Sequence, residues 1–365
     1  MIYIGAEQII SSLGNSASEN FNNALKGISG VKKHIDCNLY AKKPLGLLQN
    51  FELIPGFSKV ESMCIKSGLE SLSLINNSNL ADKWLIIIST TKGDIDKLKG
   101  GDVDGAKPTF LAKRIAKKLP IASEIMVVSN ACISGLAATI NAHDLVKTGA
   151  YDHVLVIGVD VVSEFTTLGF ESFYALSDSP LAPFDKHRKG LSLGEAVSSV
   201  VISATKELFL STPIKLCGGV TTNDANHISG PSRTAEGLVR AINLVLQRSK
   251  VEASAIDFIS AHGTGTLFND DMESIAFTKS KLDKVPTNSM KGYFGHTLGA
   301  AGVLELSMSI QSIRNNKLVK TLGCTTPGTV NKINILLKNK DIPVNTVLKT
   351  ASGFGGCNAA IILKS

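Results

Sequence analysis

Short apolar runs alternate along the chain with longer stretches in which apolar residues recur every three or four positions. Apolar runs that end in a polar residue or glycine predict buried β-strands, and the longer periodicity predicts amphipathic helices. We expect strands at 84–89, 124–129, 153–158, 199–203, 255–260, 333–338 and 359–363. Helices are expected at 134–148, 235–249, 270–281 and 300–315. Such alternation predicts an α/β fold with largely buried sheets.

No linker rich in proline, glycine or serine divides the chain, so a domain boundary rests on weaker signals. The most open point follows the predicted strand at 199–203, and we divide the chain there into residues 1–205 and 206–365. Each part contains a strand that runs into a glycine-containing loop, at 127–135 and at 347–356, which suggests an internal duplication. The strand pattern alone would also allow a doubly wound sheet.

The composition indicates a globular protein with a substantial core, since 44% of the 365 residues are hydrophobic and 19% are charged. No apolar stretch approaches the roughly 18 residues of a membrane span. The first residues predict a strand and not a signal peptide. Six cysteines are scattered without a C-x-x-C pair or zinc spacing, so no metal site is expected. We expect these cysteines to be reduced thiols in the cytoplasm.

The net charge of +7 has two interpretations, a solvated lysine-rich surface or attraction to an acidic partner. Nucleic acid is a poor candidate for that partner, because no basic run is interleaved with aromatic residues.

Three residues occupy positions that are suited to chemistry. Cys132 lies between a predicted strand and a helix start rich in small residues, where backbone N–H groups and the helix dipole would favour its thiolate. His262 follows a predicted strand, and His296 lies just before a predicted helix. Taken singly, each is more often structural, either as a buried thiol that fills space or as a hydrogen-bonded histidine.

Three charged residues near the histidines have an ordinary explanation when they are taken alone. Lys291 would be a surface charge. Asp270 and Glu273 lie three positions apart on a predicted helix, where solvation is the usual role of such a pair.

Together these segments are much more specific. A cysteine at a helix start, then H-G-T-G-T at 262–266, then K-x-x-x-x-H-x-x-G-A-A-G at 291–302 resembles, in this order, the β-ketoacyl synthase family. Further matches are P-F-D-K-H-R-K-G at 183–190 with the following G-E at 194–195, N-D-D-M-E at 269–273 and G-F-G-G at 353–356. The resemblance runs from about residue 127 onward.

The resemblance implies decarboxylative Claisen condensation with malonyl-acyl carrier protein, in fatty-acid, polyketide or polyene synthesis. Cys132 would accept the acyl group, and His262 and His296 would stabilise the enolate that decarboxylation leaves. Lys291, paired with Glu273, would order the site. Asp270 would support the same network. The backbone N–H groups of Cys132 and Phe354 would form an oxyanion hole, and the Phe354 side chain would act as a gate. Thr264 and Thr266 would contact the phosphopantetheine arm.

The resemblance also implies the thiolase-like five-layered α-β-α-β-α fold made of two similar halves. The first half would carry the nucleophile, and the second the histidines and the glycine-rich gate loop. No cofactor is expected, because the phosphopantetheine arrives on the acyl carrier protein. A homodimer, or a heterodimer with a related synthase subunit, is expected because the family pairs strands across a two-fold axis beside the cysteine loop.

Two departures from the family concern the substrate. The segment before Cys132 is shorter than usual, and Ser352 stands where the family often has a first gating phenylalanine. These departures do not affect the chemistry, but they favour a specialised pathway, such as a polyketide or polyene pathway, over housekeeping fatty-acid elongation.

Two other functions remain open. A thiolase shares the fold and uses two cysteines, but Cys357, the candidate for the second, falls where synthases usually have threonine. A chain-length-factor-like subunit usually lacks the nucleophile, whereas Cys132 is present. Initiating synthases use asparagine where this chain has His296. The remaining residues with a possible role are expected to be structural: Asp185, Arg188, Cys37, Cys64, Cys217 and Cys324.

Overall fold

The computed structural model describes residues 1–34, 43–224 and 226–365, so Cys37 lies outside the described residues. The strands in these ranges are β1 (Tyr3–Ser11), β2 (Val31–Lys33), β3 (Pro44–Gly46), β4 (Trp84–Ser89), β5 (Ser123–Val128), β6 (His153–Asp160), β7 (Ala196–Ser203), β8 (Ile214–Asn223), β9 (Phe258–Ser260), β10 (Thr287–Asn288), β11 (Lys317–Leu318), β12 (Lys340–Asp341), β13 (Thr346–Gly353) and β14 (Cys357–Lys364). The helices are α1 (Ala17–Leu25), α2 (Lys59–Ser73), α3 (Val103–Ala106), α4 (Pro108–Ala116), α5 (Ser134–Lys147), α6 (Glu164–Ser172), α7 (Glu236–Ser249), α8 (Leu267–Lys279), α9 (Lys291–Phe294) and α10 (Ala301–Asn315).

Within these ranges, ten strands hydrogen-bond in the order β10-β9-β13-β14-β8-β1-β7-β6-β4-β5. The central contact between β8 and β1 is narrow, because it pairs only Tyr3 with Lys215 and Ile4 with Ile214. On either side of it the strands form two five-stranded parts with the same strand order. Counted from the outer edge of the sheet inward, the first two strand pairs of each part are parallel and the next two are antiparallel. This agreement is consistent with an internal duplication. The boundary proposed at 205/206 lies in the connection between β7 and β8, and a division into domains there stays a prediction.

Helices cover both outer faces of the two parts and also fill the space between them. The helices α2 and α4 pack on the first part around Trp84 and Leu155, and α7 and α8 pack on the second part around Ile259 and Ile362. Between the parts, α5 and α10 contact strands of both. The layers are therefore α-β-α-β-α, which confirms the five-layered fold and excludes a doubly wound sheet.

The two central helices approach each other backbone to backbone at Gly135 of α5 and Gly302 of α10. A Cβ built on Gly302 would lie 2.5 Å from the Leu136 nitrogen, and one built on Gly135 would lie 2.8 Å from the Val303 nitrogen. Any side chain at either position would push the starts of the two helices apart, because the atoms it meets belong to the backbone.

Most predicted elements are present in the structure, with shifted ends. The predicted helices correspond to α5, α7, α8 and α10, and the strand expected at 255–260 is shortened to Phe258–Ser260. The strand expected at 333–338 is wrong. Ile333, Ile335 and Leu336 are buried, but Leu337 is exposed, and the backbone is irregular because Leu336 bonds to both Thr287 and Thr321 and not to one neighbouring strand. No helix in the described part of the chain is long and apolar enough to cross a bilayer.

The glycine contact gives a test of the central layer. Gly302→Ala should lower the free energy of unfolding by about 1–3 kcal/mol, the usual cost of overpacking, because the added methyl has no room. Gly169→Ala in α6 is the matched control, since a Cβ there meets nothing within 4 Å. Urea unfolding measures both variants, and equal stabilities would contradict the close contact.

Candidate active site

Cys132 lies in a tight loop between β5 and α5. Ala131, the residue before it, has a φ of 43°, and the Ser134 hydroxyl accepts a hydrogen bond from the Asn130 N–H at 2.7 Å and donates one to the Ala131 carbonyl at 2.6 Å. These bonds fix the loop and direct Cys132, which is buried, to its position two residues before the helix begins.

His262 lies at the carboxyl end of β9, in a loop that two buried carboxylates hold from α8. Glu273 accepts hydrogen bonds from the N–H groups of His262 at 2.7 Å and Gly263 at 2.6 Å. Asp270 accepts one from the Thr264 N–H at 2.9 Å. The ordinary explanation of these acids as a solvated pair is therefore wrong, since both are fully buried and bind backbone.

The orientation of the His296 ring follows from its own hydrogen bonds. Its Nδ1 accepts from the Leu298 N–H at 3.2 Å, so in the neutral ring the proton is on Nε2. That Nε2 is buried and has no hydrogen-bond partner among the described residues. An unsatisfied buried donor at this position is available to a ligand.

The His262 ring has the same tautomer for a different reason. Lys291 Nζ lies 3.1 Å from His262 Nδ1 and donates to the His262 carbonyl at 2.6 Å, so Nδ1 is the acceptor and Nε2 has the proton. Lys291 forms its ion pair with Glu305 at 2.7 Å. The expected pairing of Lys291 with Glu273 is therefore wrong. A lone acid in the apolar run of α10 was the signal for Glu305, because a buried charge needs a partner.

The structure brings the three principal candidates together. One ligand atom each of Cys132, His262 and His296 lies within 4.8 Å of the other two. The two imidazole rings meet edge to face, with centroids 5.2 Å apart and planes at 80°. This set of atoms could also hold a metal, but the two buried lysines nearby, Lys291 and Lys349, disfavour a cation there.

Burial determines the charge state of the site. It lowers the pKa of His262 and of His296 well below the ordinary value, and the nearby Lys291 lowers both further, so both rings are neutral at neutral pH. Burial also raises the pKa of the Cys132 thiol to about 12, although Lys291 and a hydrogen bond from the Phe354 N–H act in the opposite direction. Burial therefore favours the thiol form of Cys132 in the unliganded site, and a thiolate supported by the helix start stays a prediction.

The acids behind the histidine loop are also affected by burial. It raises the pKa of Asp270 to about 6 and that of Glu273 to about 7, although the backbone N–H groups they bind favour the ionised forms.

A cavity of about 600 Å³ opens onto the cysteine and the two histidines. Thr264 and Thr266 line it with hydroxyl oxygens 2.8 Å apart. Phe354 stacks on Phe170 with centroids 5.5 Å apart and meets the edge of Phe173 at 5.8 Å. These two aromatic partners lie on and just after the short helix α6, and no motif in the sequence predicts them.

The other residues with a possible role lie behind the cavity. Arg188 is buried and donates to Asp271 at 2.7 Å, and Asp185 accepts from the Thr325 and Thr326 N–H groups at 2.8 and 2.9 Å. Within the described structure, these two charged groups therefore bind other partners and form no ion pair with each other. The cysteines that remain in the described ranges are reduced, and Cys64 and Cys324 are buried.

Comparison with known proteins gives one consistent result. Residues 87–207 match the family model of the β-ketoacyl synthase N-terminal domain, and residues 215–325 match that of the C-terminal domain. The 3-oxoacyl-[acyl-carrier-protein] synthase 2 of Staphylococcus aureus is 25% identical over 396 residues, which cover 97% of this chain and 98% of the relative.

Solved structures of ketosynthases have the same fold. A β-ketoacyl synthase from Burkholderia phymatum superposes with a TM-score of 0.87 at 22% identity, over 100% of this chain and 98% of that one. The ketosynthase ApeO from Xenorhabdus doucetiae, solved in complex with its chain length factor ApeC, gives a TM-score of 0.82 at 25% identity, over 100% and 97% of the two chains. The two matched domain models lie on both sides of the junction between β7 and β8, and the matched relative extends over nearly the whole chain, so this chain belongs to the β-ketoacyl synthase family.

Proposed function

We propose that this chain joins an acyl group held on Cys132 to a malonyl unit carried by acyl carrier protein, with loss of CO₂. The observation that supports this most directly is the pair of Nε2–H donors, on His262 and His296, that converge on the Cys132 thiol at the cavity. Two uncharged donors can stabilise an enolate oxygen without readily protonating its carbon.

In the first half-reaction, the Cys132 sulfur attacks the thioester carbonyl of the acyl carrier. The tetrahedral oxyanion is stabilised by the backbone N–H groups of Cys132 and Phe354, the carrier thiolate leaves, and it takes the proton that Cys132 has lost. The Phe354 N–H already lowers the pKa of the Cys132 thiol, as a donor near the sulfur does. The acyl chain is then bound to the enzyme, and the free carrier departs.

In the second half-reaction, both Nε2–H groups bind the thioester oxygen of the malonyl unit. The bond to the carboxylate breaks, CO₂ leaves, and its electron pair forms the enolate. The enolate carbon attacks the acyl carbonyl on Cys132, and the cysteine sulfur leaves and takes a proton from solvent. The product is a β-ketoacyl group on the carrier.

The supporting residues have separate roles in this scheme. Glu273 and Asp270 hold the His262 loop by its backbone, and Lys291 keeps the proton of His262 on Nε2. The hydroxyls of Thr264 and Thr266 line the cavity and would bind the amides of the phosphopantetheine arm. That arm arrives on the carrier, so the chain needs no resident cofactor.

Two partners follow from the proposed reaction. The positive net charge of +7 favours encounter with an acidic carrier protein. At the edge of the sheet, β5 leaves the side chains of Ile125 and Val127 partly exposed, and a second synthase chain, identical or related, would cover them. The reduced cysteines suit the cytoplasm, where we place the reaction.

The two alternative functions have weaker support. A chain-length-factor-like subunit would not need a complete set of Cys132, His262 and His296. A thiolase would need a second thiol in the cavity, but Cys357 donates to the Phe354 carbonyl at 3.2 Å and is not among the described residues that line the cavity.

The nucleophile can be tested by mass spectrometry. Cys132→Ala should abolish acyl loading and condensation, because no other thiol is placed next to both histidines. Intact mass and peptide mapping, after incubation with acyl carriers, should locate the acyl group on Cys132. Cys357→Ala is the matched control and should still load. An acyl group mapped to Cys357 would overturn the synthase assignment in favour of thiolase chemistry.

The histidines should separate the two half-reactions. His262→Ala and His296→Ala should each slow malonyl decarboxylation by about 10²–10³, the usual effect of removing one donor to an oxyanion. Acyl loading of Cys132 should be reduced much less, because its oxyanion is held by backbone N–H groups. Carbon dioxide release measures the first effect and intact mass the second. Normal decarboxylation in both variants would rule out the proposed role.

The gate residues bear on the substrate. Ser352 is buried and lines the cavity, and its hydroxyl donates to Asn358 Oδ1 at 2.7 Å. Because this gate position holds serine and not phenylalanine, Phe354 is the gate residue that remains. We propose a wide pocket entrance and a specialised polyketide or polyene substrate.

Bulky or conjugated acyl groups should therefore load onto Cys132 as well as short saturated ones. Ser352→Phe should reduce loading of the bulky groups about tenfold or more and leave short chains unaffected. Competition between acyl carriers, followed by intact mass, measures the ratio. An unmodified enzyme that loads only short saturated chains would refute the wide entrance.

A further inference from the structure

Lys349 is a completely buried lysine in β13, adjacent to the site but absent from the scheme above. Lysine is rarely buried unless its charge and its donors are satisfied. Its ammonium group has four partners: the carbonyl oxygens of Ser260 at 3.1 Å, Ala261 at 3.2 Å and Thr350 at 2.7 Å, and Glu305 Oε2 at 2.6 Å.

Two of these partners fix the backbone that carries His262. Ser260 ends β9, and Ala261 is the residue immediately before the histidine. Lys349 binds both carbonyl groups from the neighbouring strand, and Glu273 binds the His262 N–H from the other side. The peptide group between Ala261 and His262 is therefore held at both its polar atoms by buried charged groups, the carbonyl by Lys349 and the N–H by Glu273.

The fourth partner connects Lys349 to the His262 ring. Glu305 Oε1 accepts a hydrogen bond from Lys291, and Oε2 forms an ion pair with Lys349. The ion pair with Lys349 favours the carboxylate orientation in which Oε1 meets Lys291. Since Lys291 in turn contacts His262 Nδ1, a continuous chain of contacts leads from Lys349 to the imidazole.

Several charged or titratable groups face the two histidines from the elements around them. They are Lys291 of α9, Lys349 of β13, Glu305 of α10, Asp270 and Glu273 of α8, Arg188 behind Asp270, and the Cys132 thiol before α5. Among them, Lys291 and Lys349 are the cations that lower the pKa of both His262 and His296, after burial itself.

We infer that Lys349 is a positioning residue, which holds the His262 backbone and the Glu305 carboxylate so that both histidines face the cavity as uncharged donors. This inference rests on the proposed function, because it assigns Lys349 to the decarboxylation step. It concerns the histidines alone and does not depend on the shape of the acyl pocket or on how the carrier binds.

The test is the pH dependence of malonyl decarboxylation by Lys349→Met. A nearby cation disfavours the protonated imidazole, so its removal raises the pKa of the histidines. The imidazoles of the variant then become protonated, and decarboxylation is lost, at a higher pH than in the unmodified enzyme. The acid limb of the rate profile should move to higher pH by about one pH unit or more. Acyl loading of Cys132, measured by intact mass in the same samples, should persist.

Arg314→Met is the matched control. Arg314 is paired with the buried Glu7, and it lies nine residues beyond Glu305 on α10, about 13 Å away along the helix. The control removes a cation from a buried acid and should lower thermal stability without moving the acid limb. A purely structural role of Lys349 would make the two variants alike, and an unmoved acid limb in Lys349→Met would refute the inference.

Two further measurements make the result decisive. Lys349→Gln keeps a hydrogen-bond donor but removes the charge, and it replaces the methionine variant if that variant does not fold. The acid limb of its decarboxylation rate profile should show the same upward shift. In the unmodified protein, NMR titration should find both imidazoles still neutral at pH 6.5, the ordinary histidine pKa. Protonation of either ring there would overturn the inference even if neither variant folds. An unmodified enzyme that neither loads nor decarboxylates would instead refute the proposed function.

Discussion

The backbone contact between α5 and α10 at Gly135 and Gly302 is the constraint on which the site depends. Cys132 precedes one of these helices and His296 precedes the other, so the separation of the helix starts limits how closely thiol and imidazole can meet. His262 then comes from β9, in the other part of the sheet. Backbone packing without side chains brings together groups that are far apart in sequence.

Buried charges of both signs surround the site that results. Three buried cations, Lys291, Lys349 and Arg188, lie among three buried acids, Glu305, Glu273 and Asp270. This balance is what allows so many ionisable side chains to be buried together, because each charge is compensated nearby. The Cys132 thiol and the two imidazoles, where the cavity meets these charges, are uncharged by contrast. In the proposed scheme the buried charges hold the structure, and the uncharged hydrogen-bond donors stabilise the enolate.

The sequence was sufficient for the fold class, for the main helices and for the three principal candidates, because periodicity and long motifs identify them. It could not identify the partner of Lys291. Glu273 lies 18 residues before Lys291 and Glu305 lies 14 residues after it, and only the fold, which brings Glu305 of α10 to Lys291, decides between them. The burial that raises the pKa of Cys132 was also not predicted, since position at a helix start is visible in sequence and depth of burial is not. Three apolar residues of the segment at 333–338 are buried, although the segment belongs to no strand.

The central helix layer has a consequence for how such a chain can change over time. Its apolar residues complete the cores of both five-stranded parts at once, so each half supplies part of the interior of the other. Exchange of one half with that of a distant relative, by recombination in the connection between β7 and β8, would place unmatched surfaces at the Gly135–Gly302 contact. The two halves therefore have to drift together, and an ancestral duplication of this kind becomes hard to reverse once the halves have diverged.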